Sequence, residues 1–425
     1  MRKIPADECG REIIPPPVTP HLGRRRVGTE QVALTTQVRE YELITPLFGG
    51  GVEPGVPDPV MPVRGTEIRG QLRFWWRATR GGRFNGSLAE MKKREDEIWG
   101  TTGTDRKGFP SNVQITVRVI NAGEDKEIFV SRNRAAKGWE NIAYVAFPLQ
   151  SQGRQLARKV RVGVSFELTL TYPERISEDV EAALWAWETF GGVGARTRRG
   201  FGALKLVAVD RCPVKLPDPR DVENWIRQKL AEHLDCTEPK ASGTLKWPSG
   251  VPHLSSTPRM RITGAKPSAW EAWEHLISRL REFRQSRGGR SGRGRSDWPE
   301  ASAIRAVTSG APPKSTPAVI KVPRAAFGLP IVFHFRGQNL QDVILRGRNY
   351  ERLASPLILR PLACDGDRGV GVAIVLDGTG LPPGDLVLDK LPYVPVEALL
   401  TPEEAKMIRP LRGKKDILDA FLETL

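Results

Sequence analysis

Cysteine is scarce. Cys9, Cys212, Cys236 and Cys364 are the four in 425 residues, and no two of them form a CxxC pair. That scatter argues against a zinc ribbon or a disulfide framework and suits a reducing compartment. No apolar run is long enough to span a bilayer, and the opening MRKIPADECG lacks the apolar stretch of a secretion signal. The expectation is a cytoplasmic protein that meets no membrane. No short period recurs, which excludes a solenoid. Acid is also in short supply, with 49 Asp+Glu against 65 Lys+Arg, a net charge of +16. Such a surplus favours a polyanionic partner, nucleic acid first, over the plainer reading of an arginine-rich, heat-adapted surface.

What is present has the pattern of a folded α+β protein. Hydrophobic residues make up 39% of the chain, and its length suggests two domains. Residues 1–25, with PPPVTP and GRRR, read as an irregular basic arm. Alternation predicts strands over residues 31–44, 112–120, 142–147, 164–172 and 203–209. Helical spacing covers 66–80, 88–99 and 177–190, the last with Ser177 as N-cap. Without 142–147, this is the strand, helix, two strands, helix, strand order of a ferredoxin-like βαββαβ unit over 26–212, with 45–65 and 121–141 as insertions. A linker with a helix follows at 213–257. A second cycle over 258–425 takes strands at 259–263, 330–335, 355–362 and 370–376, and helices at 268–283 and 414–424. The expected fold is two ferredoxin-like (RRM-like) domains with insertions. Residues 285–296, QSRGGRSGRGRS, are of low complexity.

Three stretches carry chemistry. Residues 189–202 read TFGGVGARTRRGFG, placing Gly191, Gly192, Gly194 and Gly200 beside Arg196, Arg198 and Arg199 without an acid. Glycine lets a backbone approach a ligand closely, and arginine presents planar donors to phosphate. A dinucleotide fingerprint fails because Thr197 stands where its last glycine should be, and the order is helix, loop, strand. A P-loop fails for want of Gly-Lys-Ser/Thr. A cradle for a phosphate backbone remains, with a plain structural turn as the alternative.

The second stretch, TEIRGQLRFWWRATR at 66–80, puts Arg69, Arg73, Arg77 and Arg80 on one helical arc with no carboxylate among them. Ile68, Leu72, Trp75 and Thr79 lie opposite, with Trp76 at the edge, and read as core rather than as a stacking platform. Like charges at that spacing repel, and a bound polyanion would relieve them, so the stripe is expected to face solvent. The third stretch is ITPLFGGG, whose Gly49, Gly50 and Gly51 form a ligand contact or hinge ahead of Arg64.

No catalytic set emerges. His21, His233, His253, His275 and His334 all lie outside these loops, and Glu53, Asp58 and Glu67 fit no two-metal spacing. The expectation is no metal, no cofactor and no enzyme.

ITPLFGGG, RGQLRFWWR, IWG at 98–100, GGVGARTRRGFG and SPLILRPL at 355–362 together resemble the RAMP superfamily of CRISPR proteins. Within it they are most similar to the family of the first subunit of type III-B (Cmr) effector complexes. The likeness runs from about residue 41 to 362. It implies two RRM-like domains, binding of crRNA toward its 3′ end and help in capturing single-stranded target RNA. It also implies contact with other Cmr complex subunits in antiviral defence, with target cleavage left to those subunits. Two alternatives stay open: a RAMP endoribonuclease cutting RNA at the glycine-rich loops, and a protein-binding scaffold.

Overall fold

β1 (Leu34–Leu43) is rich in β-branched and aromatic residues and lies inside its sheet. The computed structural model describes residues 25–27, 30–51, 56–102, 108–131, 134–151, 157–234, 245–288, 295–309, 319–335, 341–380 and 386–425. The expected basic arm, apart from Arg25, and the centre of the 285–296 segment lie outside them.

α1 (Gly65–Arg80), α2 (Leu88–Trp99), β2 (Gln114–Asn121), β3 (Ser165–Pro173), α3 (Ser177–Phe190) and β4 (Leu204–Val209) follow β1. The sheet runs β4-β1-β3-β2, every pair antiparallel, with a two-residue strand, Cys212–Pro213, on its outer edge. That is the strand order of a βαββαβ unit. Period-two burial along β3 puts Phe166, Leu168, Leu170 and Tyr172 on one face. α1 presents buried Ile68, Leu72, Trp75 and Trp76 to the same core. The apolar side of α1 is core, as its spacing required.

α4 (Val222–Leu234) carries an apolar stripe of Val222, Ile226, Leu230 and Leu234, which joins this core rather than hanging in a linker. Its His233 ring stacks on Trp185 at 5.0 Å. Burial pushes the His233 imidazole down to about 4, so the fold holds it neutral. As pH falls below the ordinary 6.5, the unfolded chain takes up this proton first, and stability is lost between 6.5 and 4. Urea unfolding at pH 7 and pH 4 should therefore show the parent losing about 2 kcal/mol more than His233→Phe. Equal losses would mean that His233 is already protonated in the fold.

In the second half, β5 (Arg259–Ile262) leads to α5 (Ala269–Arg284), which Ser268 caps by accepting the Glu271 amide. α6 (Pro299–Thr308), β6 (Ile331–Phe333), β7 (Val343–Gly347), β8 (Leu357–Ala363), β9 (Gly369–Val375), β10 (Leu386–Leu388), α7 (Pro402–Met407) and α8 (Ile417–Leu422) follow. One sheet runs β5-β9-β8 and another β6-β7-β10. The expected complete second βαββαβ unit is corrected here. β5, α5, β8 and β9 supply the first part of the frame, but the strand after β9 pairs with β7 of the inserted sheet. Among the described residues no fourth strand lines β5. α4 and α8 pack against it, with Arg259 paired to Asp416 and Asp419 at 2.9 and 2.7 Å.

Smaller expectations also change. Residues 142–147 form 3-10 turns, Ile142–Tyr144 and the start of Phe147–Leu149, not a strand. Ser177 is the first residue of α3 and not its cap, because the turn Glu174–Ile176 runs straight into the helix. The two halves share their cores. Ile358, Leu362, Val372 and Ile374 pack in the cluster of Trp75 and Trp187, while Phe48 and Phe201 pack with Trp273 and Leu359. Among the described residues no helix is long and apolar enough to cross a membrane.

Candidate nucleic-acid interface

Three connections converge at one end of the first sheet: the exit of β1, the entry to α1 and the loop leaving α3. The Gly202 amide donates to Pro46 O at 2.9 Å, and the Ala195 amide to Phe48 O at 2.7 Å. Thr45 Oγ1 donates to Gly200 O at 2.6 Å and accepts the Ala203 amide at 2.8 Å. Arg64 donates to Gly50 O and, at 3.3 Å, to Gly51 O. Glu67 accepts the Gly194 amide, and burial pushes its carboxyl up while that amide and Arg64 pull it down. The residues singled out in the sequence, Gly49 to Gly51, Arg64 and Gly191 to Gly200, therefore do meet.

Most of the arginine stripe does not face solvent. Arg73 and Arg77 both pair with Glu95, at 2.7 and 2.6 Å, and Glu95 is only 2% exposed. Arg73 also donates to Gly100 O at 3.0 Å. Arg80 is buried and donates to Glu178 O at 2.8 Å. The stripe lacks a carboxylate only within its own helix. The turn Gly81–Phe84 brings α2 back alongside, and α2 delivers Glu95 and, 3.5 Å from Arg73, Asp96. Arg69 differs: it is half-buried, and among the described residues its Nε has no hydrogen-bond partner.

The glycine–arginine loop divides in the same way. The Arg199 guanidinium donates to Leu357 O at 2.8 Å and Phe327 O at 3.4 Å, both in the second half. Arg198 donates to Ser355 O and lies 5.4 Å from the Phe74 ring centre. Trp273 Nε1 returns a bond to Arg199 O at 2.7 Å. From β8, Arg360 reaches back to Thr189 O, Leu204 O and Gly191 O at 2.7, 2.8 and 2.9 Å. Burial, without a carboxylate in hydrogen-bond contact, pushes Arg199 and Arg360 each down to about 9.

Arg198 and Arg199 are thus stitches between the halves, not free phosphate ligands. The glycines serve the same seam. A methyl on Gly200 (φ +83) would stand 2.4 Å from Trp273 Nε1, and one on Gly191 would stand 2.6 Å from Trp75 Nε1. Gly192 and Gly194 press on Gly202 O and Phe48 O, each 2.6 Å from where a methyl would sit. Their close approach in this structure is to protein.

Arg196, also half-buried, is the loop arginine for which no hydrogen bond to the second half is found among the described residues. It lies 4.6 Å from the ring centre of Phe147, itself 56% exposed, and burial pushes it down to about 10. Among the described residues it has no carboxylate partner. In the sequence Phe147 offers only a weak signal, an aromatic beside Pro148, and the structure puts it at the start of a 3-10 turn rather than in a strand. Arg64 and Arg196 with Phe147 and the loop at Gly50 and Gly51 make the candidate surface, with half-buried Arg69 about a turn further along α1. A guanidinium on an exposed ring offers forked donors to phosphate beside a face for a base.

The histidines have other surroundings. His253 stacks on Trp247 at 4.3 Å, His334 holds Asp342 at 2.6 Å, and His275 lies on α5. Asp58 accepts the amides of Val60 and Met61, each at 2.9 Å. Glu53 and His21 lie outside the described residues. Among the described residues no group of three or more His, Cys, Asp or Glu side chains is placed to hold a metal.

The family model of the RAMP superfamily matches residues 40–205. The CRISPR system Cmr subunit Cmr1-2 of Pyrococcus furiosus is 29% identical over 188 residues, 39% of this chain and 92% of that protein. Cmr1-1 of the same organism is 28% identical over 148 residues, 34% of this chain and 40% of that protein. The crystal structure of Cmr1 from Pyrococcus furiosus in its apo form superposes with a TM-score of 0.52 at 18% identity. That match covers 85% of this chain and 95% of the other, and it supports the fold of both halves. Residues 40–205, which span α1, α3, the glycine–arginine loop and the middle strands of the first sheet, match the RAMP superfamily model, in a chain similar to Cmr1 of Pyrococcus furiosus.

Proposed function

We propose that this chain is an RNA-binding subunit of a type III-B CRISPR ribonucleoprotein. In this reading it holds crRNA toward the 3′ end, helps to capture single-stranded target RNA, contacts other Cmr subunits and works in the cytoplasm. The curated relatives are named as subunits of the CRISPR system Cmr. The observation that carries the reading is the half-buried Arg196 set over the exposed Phe147 ring, beside the three converging loops, on a chain of net charge +16. The second half is read as a ferredoxin-like domain that gave its last strand to an insertion.

The subunit does no chemistry of its own. RNA cleavage by general base needs a positioned histidine or an equivalent group. The stacking of His253 and the ion pair of His334 direct those rings to other partners.

Titration with labelled single-stranded RNA across a salt series tests the proposal. The parent should bind with a steep salt dependence and little sequence preference, and leave the RNA intact. Arg69→Glu with Arg196→Glu should weaken binding at least about tenfold, since two charges are inverted beside phosphates. Cleaved RNA would favour the endoribonuclease. No binding by the parent would favour the scaffold.

A further inference from the structure

A second basic surface lies in the other half. α6, the strand β6 and the antiparallel segments joined by the Arg287–Ser296 bridge enclose a cleft of 810 Å³. Its walls carry Arg287, Arg295, Arg305, Arg324 and His334, with three serines and, among the described residues, no carboxylate. We propose that this cleft is a second site for single-stranded RNA, gripping the phosphate backbone of a short stretch of strand. The proposal rests on the RNA-binding reading above and adds a separate place of contact.

The nearby acids are engaged with protein. Glu300 is fully buried and accepts from Arg324 Nε at 2.5 Å. Asp297 accepts from Ser286 at 2.6 Å and from Arg409 at 2.7 Å. Asp342 is held by His334 at 2.6 Å. Arg287, Arg295 and Arg305 are exposed, and among the described residues none pairs with a carboxylate. The field in the cleft is therefore of one sign, which costs self-repulsion unless an anion enters.

Arg305 lies 5.3 Å from the centre of the buried Phe335 ring, which orients its planar guanidinium before any ligand arrives. Val332, 55% exposed on the facing wall, offers an apolar surface to a base. The volume falls in the range of roughly 300–1,000 Å³ that holds a ligand of a few rings, room for part of a single strand. Forked arginines and serine hydroxyls suit phosphate oxygens. An acidic peptide would also bring apolar side chains; the cleft's two phenyl rings, Phe333 and Phe335, are buried, which leaves Ile331, Val332, Ala301 and Ala306 as its apolar lining.

The site also connects with the first. Arg324 donates to Arg284 O at 3.0 Å, Arg284 lies over Phe327, and Phe327 O accepts from Arg199 of the glycine–arginine loop. A strand leaving the first surface has this cleft within the same body of packed contacts.

The test uses the full chain and a single-stranded RNA carrying 4-thiouridine, with poly-glutamate as a second probe. On the parent, crosslinks should map to residues 295–309 and 331–335 as well as to the first surface. Arg295→Glu with Arg305→Glu should lose the first set, weaken RNA binding roughly tenfold and shrink the log–log salt slope by about 1.4, two contacts at about 0.7 each. Arg69→Glu with Arg196→Glu should keep the crosslinks in the cleft. A parent that binds RNA, shows no crosslink there and has the same affinity and slope as Arg295→Glu with Arg305→Glu overturns this site alone. Loss of poly-glutamate binding without loss of RNA binding also overturns it, in favour of a protein partner. A parent that binds no RNA overturns the RNA-binding reading and this site together.

Discussion

Arg360→Ala is expected to cost on the order of 5 kcal/mol of stability and to bring both halves down in one transition. The side chain is fully buried at the boundary of β8 with the first half. It donates to Thr189 O, Leu204 O and Gly191 O at 2.7, 2.8 and 2.9 Å, acceptors at the end of α3, in the loop after it and at the start of β4. Truncation leaves three buried carbonyls without donors, each worth roughly 1–3 kcal/mol, and opens a cavity besides. Burying the guanidinium is itself unfavourable, which offsets part of the gain from its bonds.

Arg360→Met separates the effects, because it fills much of the volume but donates nothing. It should recover only the cavity part of the loss. Thermal melts followed by tryptophan fluorescence and by far-ultraviolet dichroism should shift together, since residues of both halves share two cores. A loss under about 1 kcal/mol would show that water replaces the donors and that Arg360 is not the clamp described.

The glycine–arginine loop should split under mutation. Arg199→Ala removes bonds to Leu357 O and Phe327 O, at 2.8 and 3.4 Å, and should cost about 3 kcal/mol. Arg196→Ala removes a cation from an exposed ring, worth only about 0.5–1 kcal/mol to the fold. It should nevertheless lower RNA affinity several-fold and reduce the salt slope by about 0.7, the signature of one lost phosphate contact on a single strand. Affinity counted per folded molecule should change little for Arg199→Ala. The opposite pattern, with Arg199→Ala folded and unable to bind RNA, would put Arg199 at the phosphates and refute its role as a stitch. A triple change of Arg196, Arg198 and Arg199 would mix the two effects, so single substitutions are the informative ones.

Much of the first half was legible in the chain itself. Alternation along residues 164–172 gave β3 and its buried face, and the apolar side of 66–80 gave the core face of α1. The order of the elements led to the β4-β1-β3-β2 sheet. Grouping the Gly49 to Gly51 loop with Arg64 and the 191–202 loop was also sound. Loops at the same end of one sheet are neighbours once the strand order is known. α6 was missed because residues 299–308 are short and their apolar positions are weakly spaced. The strand expected at 330–335 lies in the inserted sheet, and Leu386–Leu388 was not predicted, because strands of three residues carry almost no pattern or register information.

What the sequence determined by itself was therefore the set of local faces, the charge surplus and the stretches where flexible and cationic residues coincide. Those depend on residues close together along the chain, where the period of a helix or strand decides which side chains share a face. Which arginines remain free was decided only by the tertiary structure. Glu95 meets Arg73 and Arg77 across 22 and 18 residues, and Arg360 meets Gly191 and Thr189 across 169 and 171. An ion pair or a carbonyl bond forms with whatever the fold brings within about 3 Å, and no periodicity records that partner. A buried arginine and a phosphate-binding one look alike in the sequence, because desolvation and partner are properties of the packed chain.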